Sequence, residues 1–168
     1  MKYLILISVI FLSVSCCLKT KNSVVCECSD IRDLIIRHDN PNASDFIYSE
    51  GAGCERNITC GYNIITYARM WWNQTEIVND DRRLDWPPLG LLYSIKGAGS
   101  ETIGKPVNIF SFFGIVCEDG EWYVTKYPFG VTYRSKNNLP QRVGENGEVD
   151  GLKSLIYVIA CEPPAESA

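Results

Sequence analysis

Apolar and polar positions along this chain change over at the short period of strands more often than at the long period of helices. Residues 57–72 are rich in Ile, Thr, Tyr and Trp, residues 122–126 alternate, and residues 152–161 form a strongly apolar run. Residues 107–117 (Val-Asn-Ile-Phe-Ser-Phe-Phe-Gly-Ile-Val-Cys) are apolar on both faces, which predicts a central strand covered on both sides. Clusters of Gly, Asn, Asp and Pro punctuate these segments. Sustained helical periodicity is absent. A single short helix is predicted near Ser29 to His38, capped by Ser29 or Asp30, with Leu34 and Ile35 facing inward. Residues 74–88 and 135–151 read as long irregular loops, which in compact domains are either functional or mobile. The pattern predicts a mostly β fold: a small disulfide-stapled antiparallel β-sandwich or barrel with at most one short helix.

Local chemistry sets register at two places. In Cys117-Glu118-Asp119-Gly120-Glu121-Trp122, the Asp-Gly pair predicts a two-residue hairpin turn, because both turn positions need positive φ. Glu118 then faces Glu121, Cys117 faces Trp122, and facing residues share one side of the sheet. Ile115 and Val124 continue the Cys117–Trp122 face, so that face is the core and the indole lies against the Cys117 disulfide. In Cys54-Glu55-Arg56-Asn57-Ile58-Thr59-Cys60, a strand puts Asn57 and Thr59 outward and Ile58 and Cys60 inward. Cys26 and Cys28 share a face if they lie on a strand, and must then reach different partners, since a bond between them would be badly strained.

The amino terminus changes the picture of where this domain works. One lysine precedes about a dozen apolar residues, too few for the roughly 20 that span a bilayer and suited to the core of a signal peptide. Small residues allow cleavage after Cys17 or after Ser15, and the former is preferred. The organisation read from the sequence is a signal peptide (1–17), a six-cysteine β domain (18–162) and a polar tail (163–168). Neither a second apolar run nor an apolar carboxy terminus is present, so no membrane anchor is expected.

Within that domain lie Cys26, Cys28, Cys54, Cys60, Cys117 and Cys161, an even set that reads as disulfides in a secreted chain. Sequence alone does not choose among the connectivities. Zinc is disfavoured, because the close pair is Cys-x-Cys and the chain has one histidine, His38. Three sequons stand at Asn42, Asn57 and Asn73. About one would arise from composition alone, so their number agrees with the signal peptide in predicting a glycoprotein. The net charge of −4 offers no basic stripe to phosphate backbones, and nucleic acid is not an expected partner.

Catalytic constellations are scarce. His38 is the only imidazole available to a triad, and beside Asp39 at a helix end it reads as a capping or solvated residue. Gly97-Ala98-Gly99-Ser100 lacks the lysine of a phosphate loop. Asp80, Asp81, Asp85, Glu118, Asp119 and Glu121 are the carboxylates from which a glycosidase pair would have to come. Glu118, Asp119 and Glu121 lack the spacing of a calcium loop. No catalytic residue, metal site or cofactor is therefore assigned. Trp71 and Trp86 are the candidate binding surface: Trp71 shares the outward phase of Asn73 while Trp72 points in, and tryptophan favours interfaces.

The order Cys26-x-Cys28, Gly53-Cys54 with Asn57-Ile58-Thr59-Cys60, Cys117-Glu118-Asp119-Gly120-Glu121-Trp122 and Ala160-Cys161 resembles a six-cysteine extracellular domain of unknown function expanded in nematodes. It also resembles a related nematode domain of unknown function with the same cysteine and tryptophan end. The resemblance covers Cys26 to Cys161, and residues 73–106 are longer than it leads one to expect. It implies that Cys26 pairs with Cys54, and it brings no activity or catalytic residue. Cys117-x2-Gly120-x-Trp122 is also similar to the last half of a complement-control module, but those modules are much shorter and use four cysteines. The expected function is a secreted, non-enzymatic binding module for an unidentified extracellular protein or glycan. A carboxylate-dependent hydrolase and a structural matrix or cuticle component are the alternatives.

Overall fold

A computed structural model describes residues 25–36, 46–60, 65–84, 89–94, 96 and 106–162. Residues 1–17, read above as a signal peptide, residues 163–168, read as a polar tail, and His38, the sequon at Asn42, Asp85, Trp86 and residues 97–100 lie outside the described residues. In chain order the strands are β1 (Ile35–Ile36), β2 (Phe46–Glu50), β3 (Arg56–Cys60), β4 (Ile65–Thr75), β5 (Leu89–Tyr93), β6 (Val116–Glu118), β7 (Glu121–Val124), β8 (Val131–Arg134), β9 (Pro140–Val143) and β10 (Ser154–Glu162). A 3-10 helix (Ile31–Leu34) precedes β1, and a four-residue helix α1 (Ile109–Phe112) precedes β6. The mostly β, disulfide-stapled architecture is the one the alternation predicts.

Seven strands form an antiparallel run in the order β6-β7-β10-β4-β5-β8-β9. Long β10 is the spine. Along one edge it pairs with β4 from Ser154 to Glu162. Its other edge is shared, with β7 at Ser154 and Leu155 and β1 at Ile159 and Ala160. The β1–β10 pair is parallel, an exception to the antiparallel expectation. β2 and β3 form a separate two-stranded sheet, joined to the rest through the Thr59–Asn108 bridge.

The core lies between the inner face of the large sheet and the segments laid across it. Ala68, Met70, Leu92, Trp122, Val124, Val131, Ile156 and Ile159 are buried on the sheet. They cluster with Ile31, Ile58, Ile109, Phe113 and Ile115 from the covering segments. Gly90 faces Met70 across the β4–β5 pair, where an added Cβ would stand 2.7 Å from Met70 Cε and from Val131 Cγ1. Two disulfides fasten the cover to the large sheet, Cys28–Cys117 and Cys60–Cys161, and a third, Cys26–Cys54, joins two of the covering segments. The Cys26–Cys54 pairing implied by the nematode resemblance is present.

Several expectations are corrected. Residues 107–117 are not a central strand. Asn108 caps α1 by accepting the Phe110 N–H at 3.1 Å, and Ile109 and Phe113, four apart, are both fully buried. Gly114, at φ 57°, then ends the helix. The Gly114 N–H reaches the Ser111 carbonyl and the Ile115 N–H the Phe110 carbonyl, the paired bonds of a Schellman cap. A short apolar run fits a buried strand and a buried helix equally well by periodicity, and here the cap residues decide. Cys26 and Cys28 lie on irregular backbone, not on a strand, although they do reach different partners. Residues 135–151 are not wholly irregular, because β9 pairs back on β8. Its Pro140 is tolerated because β9 is an edge strand. The predicted helix near Ser29 shortens to a single 3-10 turn, with Asp30 as cap, accepting the Arg32 N–H at 3.0 Å.

Candidate functional site

The outer face of the large sheet carries the site. Register puts Glu118 opposite Glu121, Cys117 opposite Trp122 and Val116 opposite Tyr123. Asp119 and Gly120 both take positive φ (51° and 82°), the geometry of the predicted two-residue turn. Trp122 is therefore buried and Tyr123 points the other way. Tyr123 faces Leu155 on β10, and Tyr157 follows two residues later on the same side. The Tyr157 ring lies 4.7 Å from that of Trp71 on β4. Trp71 has the outward phase read from the sequence, and Trp72 is buried against Tyr133. Val116, Tyr123, Leu155, Tyr157 and Trp71 thus form one strip on the solvent side of the sheet.

At one end the strip opens into a cavity of about 440 Å³, walled by Tyr123 and Leu155 and by polar groups of Asn73, Gln74, Thr75, Glu76, Glu118, Asp119 and Lys153. Lys153 organises the wall. Its ammonium donates to Glu118 Oε1 at 2.6 Å, and this bond holds the Lys153 pKa above its usual value. The Lys153 N–H donates to Glu76 Oε2 at 2.7 Å, and the Glu76 N–H to the Lys153 carbonyl at 2.9 Å. Below the wall, Thr75 Oγ1 lies 2.6 Å from Ser154 Oγ, which lies 2.7 Å from the Tyr127 hydroxyl. Tyr127 also donates to the Leu152 carbonyl at 2.9 Å, and burial pushes its pKa up to about 12. This buried hydroxyl chain fixes the rim, because each member has its position set by the next.

Aromatic and aliphatic walls take the apolar face of a ligand, while carboxylates and amides at the edge orient its hydroxyl or amide groups. Of the carboxylates weighed for catalysis, Glu118 and Asp119 line the cavity, and Glu121 faces Glu118 across the turn. Asp81 is tied to the β8 side through the Tyr133 hydroxyl at 3.2 Å and the Lys136 N–H. Asp80 is exposed. Among the described residues, the one His/Cys/Asp/Glu group close enough for a metal is the sulfurs of Cys26, Cys54 and Cys117, all within 4.8 Å of one another. All three belong to disulfides, which removes them as thiolate ligands. Asn57 and Asn73 are both exposed, Asn57 on the side of β3 opposite buried Ile58 and Cys60.

Residues 24–161 match the family model described as TRA-1 regulated protein R03H10.4. The chain belongs to this family. It is a nematode-derived family of unknown function, in keeping with the nematode resemblance read from the cysteine order. No curated protein and no solved structure matches the chain. The family therefore brings no catalytic or binding residue to the groove, and its chemistry rests on the geometry above.

Of the residues at this site the sequence singles out Trp71, Asn73, Glu118 and Asp119, and it does not single out Glu76, Tyr123, Lys153, Leu155 and Tyr157. Tyr123 had a signal: if Trp122 faces the core, its neighbour cannot. Leu155 and Tyr157 had none, because they sit in a run whose other members are buried on one face or the other.

Proposed function

We propose that this family member is a secreted, N-glycosylated, disulfide-rich protein that binds an extracellular protein or glycan through the outer-face groove without transforming it. The observation that carries the reading is the continuity of an exposed aromatic strip with a cavity edged by polar groups. Tyr157 is 47% exposed and Val116 36%, so the strip is not spent on the core. Three disulfides among the described residues and the apolar leader support an oxidising compartment. No helix among the described residues is long and apolar enough to cross a membrane. Glu118 and Glu76 are exposed, and both are already hydrogen-bonded to Lys153.

The test uses the secreted chain carrying Asn73→Gln, which leaves no attached sugar beside the groove. It is applied to an array of glycans and to a panel of purified ectodomains. Tyr123→Ala and Tyr157→Ser are expected to weaken binding by about tenfold each, the loss that one aromatic contact supplies at its upper range. Far-UV circular dichroism should be unchanged. Binding indifferent to both substitutions would overturn the reading. So would hydrolysis of any array glycan that disappears in Glu118→Gln.

A further inference from the structure

The sequon at Asn73 is not placed like the one at Asn57. Asn57 sits on β3 opposite Ser49, its Oδ1 accepting from the Thr59 hydroxyl at 3.0 Å, and it does not line the groove. Asn73 is exposed and stands on the groove's rim, two residues beyond Trp71 on β4, where the β4–β10 register is interrupted. Its sequon threonine, Thr75, is anchored by Ser154. A sugar linked to Asn73 Nδ2 therefore leaves the chain at the mouth of the cavity walled by Tyr123 and Leu155, two residues along β4 from Trp71.

We infer that the groove's resident occupant is the N-glycan of this chain's own Asn73, whose inner sugars lie over Trp71 and Tyr157 and whose branches enter the cavity, so that sequon occupancy gates the groove. The inference rests on the secretion reading above. Attachment uses a polyisoprenyl-diphosphate-linked oligosaccharide. The Nδ2–C1 bond forms, the C1–oxygen bond to the diphosphate breaks, the lipid diphosphate leaves and one amide proton is lost. The inner residues of such a glycan are N-acetylhexosamines. Each presents an apolar ring face that can cover an aromatic side chain, and an acetamide that hydrogen-bonds to carboxylates and amides. The groove supplies both kinds of partner: Trp71, Tyr157 and Tyr123 for the ring faces, and Gln74, Glu76 and Asp119 for the polar groups. An attached ligand also forgoes most of the cost of lost translational freedom, since tethering makes the contact intramolecular.

The experiment compares glycans within one molecule. The full chain is secreted from a eukaryotic host, and site occupancy is read by glycopeptide mass spectrometry. The native protein is then exposed to a peptide-N-glycosidase, and release at Asn73 and Asn57 is timed. Release at Asn73 is expected to be about tenfold slower than at Asn57, the factor that roughly 1.4 kcal/mol of seating would give. In denaturant the two rates should converge. Tyr157→Ser, at a partly exposed position, should speed native release at Asn73 and leave Asn57 alone. Trp71→Leu should do the same if the chain folds. Should Asn57 be unoccupied, the denatured rate at Asn73 becomes the reference. An unmodified Asn73, native release as fast as the reference, or protection that survives Tyr157→Ser would each overturn the inference. The binding reading fails separately. Protection at Asn73 with no array ligand for Asn73→Gln would leave the seat standing and remove the external ligand.

Discussion

Replacing Trp122 by alanine tests the central joint of the fold. The indole is 2% exposed and meets Phe110 edge-on at 6.0 Å. Its Nε1–H donates to the Ser29 carbonyl at 2.8 Å. Across the hairpin stands Cys117, whose disulfide runs to Cys28, the residue before Ser29. Trp122 therefore fills the core and also holds the amino-terminal cover through the segment the disulfide fastens. Deleting a buried large aromatic costs about 3–5 kcal/mol, and orphaning the Ser29 carbonyl adds roughly 1 kcal/mol if water does not reach it. Removing the Cys28–Cys117 bond, by replacing both residues with serine, should cost about 2–5 kcal/mol. Both changes release the same segment, so the combined variant should lose less than the sum, by roughly 0.5–3 kcal/mol. Urea unfolding followed by far-UV circular dichroism measures all three variants without relying on tryptophan emission. Trp122→Phe separates the components: it keeps most of the packing and loses the bond to Ser29. A Trp122→Ala chain secreted at normal levels with an unchanged urea midpoint would refute the reasoning, as would strict additivity with the disulfide removal.

Further outcomes follow from single contacts. Burial pushes the Tyr127 pKa up to about 12 in the folded chain, above the ordinary tyrosine value of about 10. The neutral form is favoured by folding, so the contribution is complete below pH 10 and is lost as pH rises towards 12. Urea midpoints should fall across that window and fall less in Tyr127→Phe. Gly90→Ala should cost about 1–3 kcal/mol by overpacking against Met70 and Val131, checked by melting temperature. Lys153→Ala should leave the urea midpoint almost unchanged, because its pair with Glu118 is partly exposed and screened by solvent. A clear fall in that midpoint would mean the pair is more isolated from solvent than its exposure indicates.

What the sequence carried was local. Asp119-Gly120 named a turn, the turn named a register, and the register put Trp122 in the core. Each step depends on neighbours a few residues apart. Asn57 was phased outward by Ile58 and Cys60 for the same reason. Residues 107–117 failed because the run is apolar at strand and at helix spacing alike. The deciding signals, Asn108 as cap and Gly114 in the left-handed region, are caps and not periodicity. β9 was hidden because Pro140, Gln141 and Arg142 are the polar residues of an edge strand. The parallel β1–β10 pair has two residues per strand, too few for any pattern.

The groove was hidden for a different reason. Its walls come from β4, β7 and β10 and from the turn at Asp119, which are distant in sequence and meet only through the strand order. No single segment has an unusual composition there. Each contributes one or two outward residues to strands whose inward residues dominate the hydropathy. The inward set was legible because burial imposes one constraint on all its members at once. The outward set has no shared constraint until β10 pairs with both β4 and β7. That double pairing brings Tyr157 to Trp71 and Leu155 to Tyr123, and it is also what anchors Thr75 to Ser154 beside Asn73. The strand that completes the core thus builds the outer site as well. Damage to the inner face of β10, at Ile156 or Ile159, should therefore reach the groove, whereas an outward change at Tyr157 should leave the core intact.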